Sequence, residues 1–348
     1  MKRAGLVELA TASGVSVATV DRLLNGREAV RPDTAARVAE AALRIGHPAA
    51  WRLGANGTDG GPGTRVLPEL RFGVVLHKQG QDFYKAFAEE LHRAVADAPG
   101  LRGKLVLEFS SSQSPSEMAQ TLRSMSGQCD VLAATAVNHP EVTAAVEELR
   151  HQGLAVFSLL SEFAQGVRTG YLGLDNFKHG RTSGWVMAQT ARGPGSVAVF
   201  VGGHRWHGHE LREAGFRAYL REFAPHLRVL EPLVNLETRQ LTYEATMTLL
   251  ARQPDLRGIY VAGGGMEGAI AALRETGRSR DLACVVSALT QESRAGLAEG
   301  IVTMVIDTPL EKLCRALVST MALAAQDRAK AVGTQLFLAP DLHLAETL

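Results

Sequence analysis

Residues 71–95, RFGVVLHKQGQDFYKAFAEELHRAV, decide the architecture. RFGVVLH (71–77) is a short, nearly continuous apolar run, as expected of a strand buried on both faces, and an amphipathic helical pattern follows over 82–98. The pair recurs downstream: GKLVLEF (103–109) precedes a helical stretch at 115–126, DVLAATA (130–136) precedes 140–152, LAVFSLL (154–160) follows, and YLGLD (171–175) precedes 177–192. It resumes with SVAVFVG (196–202), LRVLEPLVN (227–235), GIYVAGG (258–264), ACVVSAL (283–289) and VTMVID (302–307), separated by helical patterns. Strands joined by helical crossovers imply parallel sheets covered on both faces. About eleven strand candidates are too many for one small sheet. The spacing therefore predicts an α/β fold of two lobes, dividing near 192–195 and exchanging strands near 290–310. A helix over Leu310–Gln326 precedes a short C-terminal extension.

Upstream, GANGTDGGPGT (54–64) has almost nothing to bury, so 54–70 reads as a linker between a segment at 1–53 and the two-lobed region 71–348. A chain of 348 residues, 46% of them hydrophobic, is long enough for more than one core. The formal charge of +1 excludes a uniformly basic nucleic-acid coat. Residues 1–52 hold eight basic and five acidic side chains, a balance of +3 that leaves −2 for the rest. Three distant cysteines without a C-x-x-C pair argue against a disulfide framework or zinc module. No secretory leader or membrane-length apolar run is visible, so the expectation is a cytoplasmic protein without membrane contact.

The first segment is all-α. Leu6–Ala12 forms an amphipathic helix ending at Ser13-Gly14, where glycine can adopt positive φ. Ser16 then caps a second helix. Val20, Leu23 and Leu24 face a core, while Val17, Ala18, Asp21 and Arg22 point elsewhere. A third helix over about 32–45 presents Ala35, Val38, Ala39, Ala42, Leu43 and Ile45 at helical spacing. Helix, glycine turn and helix make a helix-turn-helix, whose small-residue face lets the backbone approach base edges in the major groove.

LVELATASGVSVATVDRLLNGREAVRPDTAARVAEAALRIGH (6–47) resembles the DNA-binding headpiece of LacI-family transcription regulators, whose signature runs V-A-x-x-A-G-V-S-x-x-T-V-S-R-x-L-N. The resemblance places Val17, Ala18 and Arg22 at base edges, and Ser16, Thr19 and Asn25 against the sugar-phosphate backbone. Asp21 stands where the family has serine. Beyond Gly46 the family's hinge helix carries a leucine that wedges into the minor groove. Here one position is deleted and glycines occupy the helix, leaving Leu53 as either the wedge or a linker contact.

Residues 71–348 are similar to the type 1 periplasmic-binding-protein fold that such regulators use as effector domain. The resemblance implies a ligand between the lobes, at the carboxyl ends of the strands. Phe83 and Tyr84 are candidates to stack on a sugar face or to belong to the helix core. Asn138, His139, Ser161 and Glu162 are rim candidates. In GLDNFKHGRT (173–182) Asp175 caps the next helix and Asn176 looks into the cleft. His204, Arg205 and His209 are hydrogen-bonding candidates; with His207, their spacing does not suit a metal site. Where sugar-binding relatives have an arginine one turn into this helix, the sequence offers Glu210 or His209. Gly264 brings backbone close to a ligand, and Asp307 is a polar group at the last strand end.

These readings predict a regulator, expected to be a repressor, that binds operator DNA as a homodimer and responds to a sugar, polyol or sugar derivative, an acidic or phosphorylated one included. No cofactor and no metal is expected. A solute receptor of the transport type is the second reading. A sugar-acting enzyme is the third, lacking a G-x-S-x-G, Cys-His or metal motif.

Overall fold

The computed structural model describes residues 5–25, 30–44, 47, 67–327 and 331–348. The front of the chain is a three-helix unit: α1 (Leu6–Ser13), α2 (Val17–Asn25) and α3 (Pro32–Arg44). Gly14 ends α1 with φ +67°, a left-handed turn that a side chain would strain. Arg37 of α3 locks that turn by donating to the Ser13 carbonyl at 2.9 Å. Ser16 opens α2, its Oγ accepting from the Thr19 N–H at 3.2 Å. Leu9, Ala10, Val20, Val38, Ala39, Ala41 and Ala42 close the core. Ala35 is buried with the expected set, whereas the side chain of Leu43 and all of Ile45 lie outside the described residues.

The rest of the chain is a two-lobed α/β structure. The first sheet has six strands, β1 (Glu69–His77), β2 (Arg102–Ser110), β3 (Val131–Ala134), β4 (Ala155–Leu159), β5 (Gly170–Leu174) and β12 (Thr334–Leu338), in the order β12-β5-β4-β3-β1-β2. The second contains β6 (Gly195–Val201), β7 (Leu227–Val229), β8 (Leu233–Val234), β9 (Leu256–Val261), β10 (Ala283–Val286), β11 (Met304–Asp307) and β13 (Asp341–His343), in the order β13-β11-β10-β9-β6-β7 with β8 also on β6. The central pairs are parallel, Phe72 opposite Val131 and Cys284 opposite Ile259, while β13 runs antiparallel to β11. In the second sheet Phe200, Ile259 and Val261 enter one apolar cluster and Val199, Tyr260 and Ala262 another. Both faces are therefore covered, which is why the strands read as unbroken apolar runs.

Three differences from the sequence expectation have physical causes. The helix α7 (Asn176–Thr190) packs on α8 (His207–Phe223) and on β10 and β11, so the chain changes lobes at 174–176 and not at 192–195. It returns after Asp307, because α12 (Leu310–Gln326) packs on α4 (Asp82–Ala96) and β3 of the first lobe. The run 227–235 splits into two short strands around Glu231-Pro232, where proline has no N–H to donate. The C-terminal extension supplies one strand to each sheet, making a third crossing at 338–341.

Candidate functional site

A cleft of about 790 Å³ of empty space, its open mouth included, lies where the carboxyl ends of the strands of both lobes meet. Its centre is built on Asn176, the first residue of α7. Asp175 caps that helix, its carboxylate accepting from the Lys178 N–H at 3.0 Å, and this fixes Asn176 pointing inward. Asn176 Nδ2 donates to the Leu160 carbonyl at 2.9 Å, and its Oδ1 accepts from Arg212 Nε at 2.8 Å. Arg212 Nη1 also donates to the Ala262 carbonyl at 2.6 Å. A guanidinium has five N–H donors, so these bonds to neutral acceptors leave others for the cleft.

Around this pair stand Ser161, whose Oγ accepts from the Gly208 N–H at 3.0 Å, and Trp206, which packs on His77 and His209. His209 Nδ1 accepts from the Gly202 N–H at 3.0 Å, so the neutral ring carries its hydrogen on Nε2. Burial first, then Arg212 and His77, push its imidazole down to about 3, so the ring is neutral at physiological pH. Glu237 completes the wall; its Oε1 accepts from the Gly264 N–H at 3.2 Å, and burial raises its carboxyl above the usual range. Gly263 has to be glycine, because a Cβ there would stand 2.5 Å from His209 Cε1. Three buried polar atoms of lining residues, Thr135 Oγ1, Trp206 Nε1 and Glu237 Oε2, have no hydrogen-bond partner among the described residues.

Of the residues expected here, Phe83, Tyr84, Ser161, Asn176, His209 and Gly264 line the cleft. Phe83 is half-buried, whereas Tyr84 is almost wholly enclosed. Six others do not line it. Asn138 is exposed, its N–H tied to the Arg205 carbonyl, and His139 caps the helix Pro140–His151, its Nδ1 accepting from the Glu141 N–H at 3.3 Å. Glu162 turns back onto Arg168 at 2.8 Å. His204 and Arg205 face solvent ahead of α8. Asp307 accepts from the Leu289 N–H, while its strand neighbours Ile306 and Thr308 line the cleft, as two-residue alternation requires. Sequence reasoning missed Gln81, Thr135, Trp206, Arg212 and Glu237. The arginine sought at Glu210 or His209 is Arg212, one helical turn after Gly208 on the same face.

In the helical unit Ser16, just ahead of α2, and Val17, Ala18 and Arg22 on it are exposed, Thr19 is half-buried beneath the Ser16 hydroxyl, and Val20 is fully enclosed. The side chain of Asn25 and the whole of Leu53 lie outside the described residues. Among the described residues no helix is long and apolar enough to cross a membrane.

Two family models match the chain: bacterial regulatory proteins, lacI family, over residues 6–47, and a periplasmic binding protein domain over residues 72–329. Among solved structures the chain is similar to an ABC transporter periplasmic solute-binding protein from Actinobacillus succinogenes 130z with bound D-allose (TM-score 0.72, 15% identity, 80% of this chain and 98% of that one). It is also similar to an ABC transporter solute-binding protein from Burkholderia graminis C4D1M in complex with D-arabinose (TM-score 0.73, 18% identity, 81% and 98%). A glucose-galactose binding protein from Geobacillus stearothermophilus aligns comparably (TM-score 0.70, 18% identity, 80% and 99%). No curated protein sequence matches the chain. At such identities these structures share the fold. With a helix-turn-helix match at the front and a periplasmic-binding-protein match over most of the remaining chain, the protein belongs to the lacI family of bacterial regulatory proteins.

Proposed function

We propose that a monosaccharide or closely related polyol binds in the cleft of this DNA-binding transcription regulator and sets its affinity for operator DNA. The observation that carries the reading is the Arg212–Asn176 pair at the cleft centre, with the Ser161 hydroxyl, the neutral His209 ring, Trp206 and Phe83 around it. Paired donors and acceptors satisfy hydroxyls, and rings cover C–H faces. The solved relatives with bound D-allose and D-arabinose support the same class. Arg212 spends its two bonds on neutral acceptors, which favours as a second reading a sugar bearing a carboxylate or phosphate. The protein binds its ligand without turnover, acts in the cytoplasm as a repressor, and works as a homodimer, because one reading helix covers only a short half-site.

A thermal-shift screen of monosaccharides, polyols, sugar acids and sugar phosphates tests the ligand class. A ligand at a hundredfold its Kd stabilises the bound state by about 2.7 kcal/mol, a clear rise in melting temperature. Stabilisation by a nucleotide or amino acid, with none from any sugar, overturns the reading. On the DNA side, Arg22→Ala is expected to cost about 1–3 kcal/mol of operator affinity and to relax base preference, since a side chain reading a base edge contributes that much. Gel-shift titration against operator variants measures it. Unchanged affinity and preference would remove Arg22 from the reading face.

A further inference from the structure

At the edge where the lobes touch, three non-glycine residues share left-handed backbone: Lys78 (φ 43°), Leu236 (φ 49°) and Glu237 (φ 54°). Such strain persists only where surrounding contacts impose it. Here Lys78 Nζ of the first lobe donates to the Leu236 carbonyl of the second, and Gln81 Nε2 to the Glu237 carbonyl at 2.7 Å. The contact buries the Glu237 carboxyl against His77, the last residue of β1, which has no exposed surface.

The hydrogen bonds fix which atoms face each other. His77 Nδ1 lies 2.9 Å from the Ser110 carbonyl oxygen, which can only accept, so Nδ1 carries hydrogen and Nε2 of the neutral ring is an acceptor. On the carboxyl, Oε1 already has the Gly264 N–H and faces the His209 Nε2 hydrogen at 3.7 Å. That leaves Oε2. Glu237 Oε2 and His77 Nε2 are 3.9 Å apart, both buried, and neither has a hydrogen-bond partner among the described residues. Two buried acceptors facing one another without a proton are unsatisfied on both sides; a single proton satisfies both.

We propose that one proton, shared between Glu237 Oε2 of the second lobe and His77 Nε2 of the first, fastens the lobes together, so that closing the cleft takes up a proton from solvent and opening returns it. The pair draws together by about 1 Å when the bond forms, since 3.9 Å exceeds hydrogen-bond reach. Groups from several neighbouring elements face the carboxyl. Burial pushes Glu237 up, against the opposing pull of Lys78 at the end of β1, the Gly264 N–H and Arg212 of α8. Tyr84 of α4 is also held neutral by burial. Burial and Lys78 push His77 down to about 4, and His209 lies lower still. The proton therefore rests on the Glu237 carboxyl and is donated to His77 Nε2.

The sign follows from the open state. With the cleft open, both groups are solvated and titrate near their ordinary values of 4.5 and 6.5. Above the higher of these the open form lacks the proton that the closed form keeps. Closure, and with it ligand affinity, then weakens by up to about tenfold per pH unit as pH rises, until Glu237 ionises in the closed form as well. The device does not depend on which small molecule occupies the cleft.

The test uses the full-length protein without ligand. Infrared difference spectra of wild type are expected to show, above the ordinary carboxylate range, a buried carboxylic C=O band that disappears as pH rises further, and Glu237→Gln to lack it. Nitrogen chemical shifts of His77 should report an Nε2 that accepts a hydrogen bond over the same range. The melting temperature of wild type should fall as pH rises through that range, and that of Glu237→Gln should stay level. A Glu237 that is fully ionised at neutral pH, an Nε2 without a hydrogen bond, or equal pH slopes in the two proteins would overturn the proposal. If the variant fails to fold, the wild-type spectra decide alone.

Discussion

Arg212→Leu is expected to lower affinity for the sugar ligand by about a hundredfold or more, on the order of 3 kcal/mol. Arg212 enters the cleft from α8 and is almost wholly buried, held by Asn176 Oδ1 and the Ala262 carbonyl. Removing the guanidinium takes away charge-assisted donors to the ligand and leaves both acceptors unsatisfied, each costing about 1–3 kcal/mol. Part of that loss is offset because the cost of burying a cation also disappears. Stability should therefore drop less than affinity, and isothermal calorimetry beside thermal unfolding separates the two. Arg212→Lys is expected to fall between, since an ammonium keeps the charge without the planar fork that meets two acceptors at once. An independent readout comes from the neighbouring rings: burial first and Arg212 second depress His179 and His209, so both should titrate higher in the leucine variant. Affinity in Arg212→Leu within threefold of wild type would show that the ligand does not use this guanidinium.

Arg212 also shows what the sequence made legible and what it did not. The alternation of apolar runs with amphipathic stretches declares two parallel α/β lobes, because strands covered on both faces need no polar side. The cleft follows from the carboxyl ends of those strands, and Asn176 from its place one residue after a capping aspartate. Choosing Arg212 over Glu210 required the helix phase. Gly208, Arg212 and Gly215 fall on one face, turned toward α7 and the cleft, while Glu210 falls on the exposed face. Asp307 went the other way: its placement depends on strand register by a single residue, and polarity gives no register. Glu237 left no local trace. It follows a two-residue strand, in a left-handed conformation that no pattern in Leu236-Glu237 announces, and its neighbours His77 and Gly264 are remote in sequence. The C-terminal strands were hidden for a similar reason, since each pairs only with a strand formed much earlier in the chain or at the far side of a helix.

Gly180→Ala is expected to destabilise the two-lobed region by about 3 kcal/mol or more, with a fall in melting temperature of roughly 6–12 °C. Helix propensity alone argues the opposite, since alanine is favoured over glycine inside a helix by about 1 kcal/mol. Packing decides the sign. A Cβ on Gly180 would stand 1.9 Å from the main-chain oxygen of Arg212, whereas ordinary contact begins near 3.4 Å. The neighbour is backbone, so no rotamer change relieves the clash, and α7 and α8 have to separate. Gly215 faces the Phe177 carbonyl in the same way, with a Cβ placed at 2.1 Å, so the two helices are joined by reciprocal glycine contacts. Separating them loosens Val186, Met187 and Phe216, which share one apolar cluster beneath the second sheet. The displaced oxygen belongs to Arg212 itself, so the guanidinium moves with it away from Asn176 Oδ1, and ligand affinity should fall along with stability. Gly80→Ala is the matched control: among the described residues nothing lies within 4 Å of its Cβ position and its φ is not left-handed, so it should melt close to wild type. A Gly180→Ala protein that melts with wild type would mean that the α7–α8 crossing yields easily, and Arg212 would then be held by its hydrogen bonds and not by the approach of the two backbones.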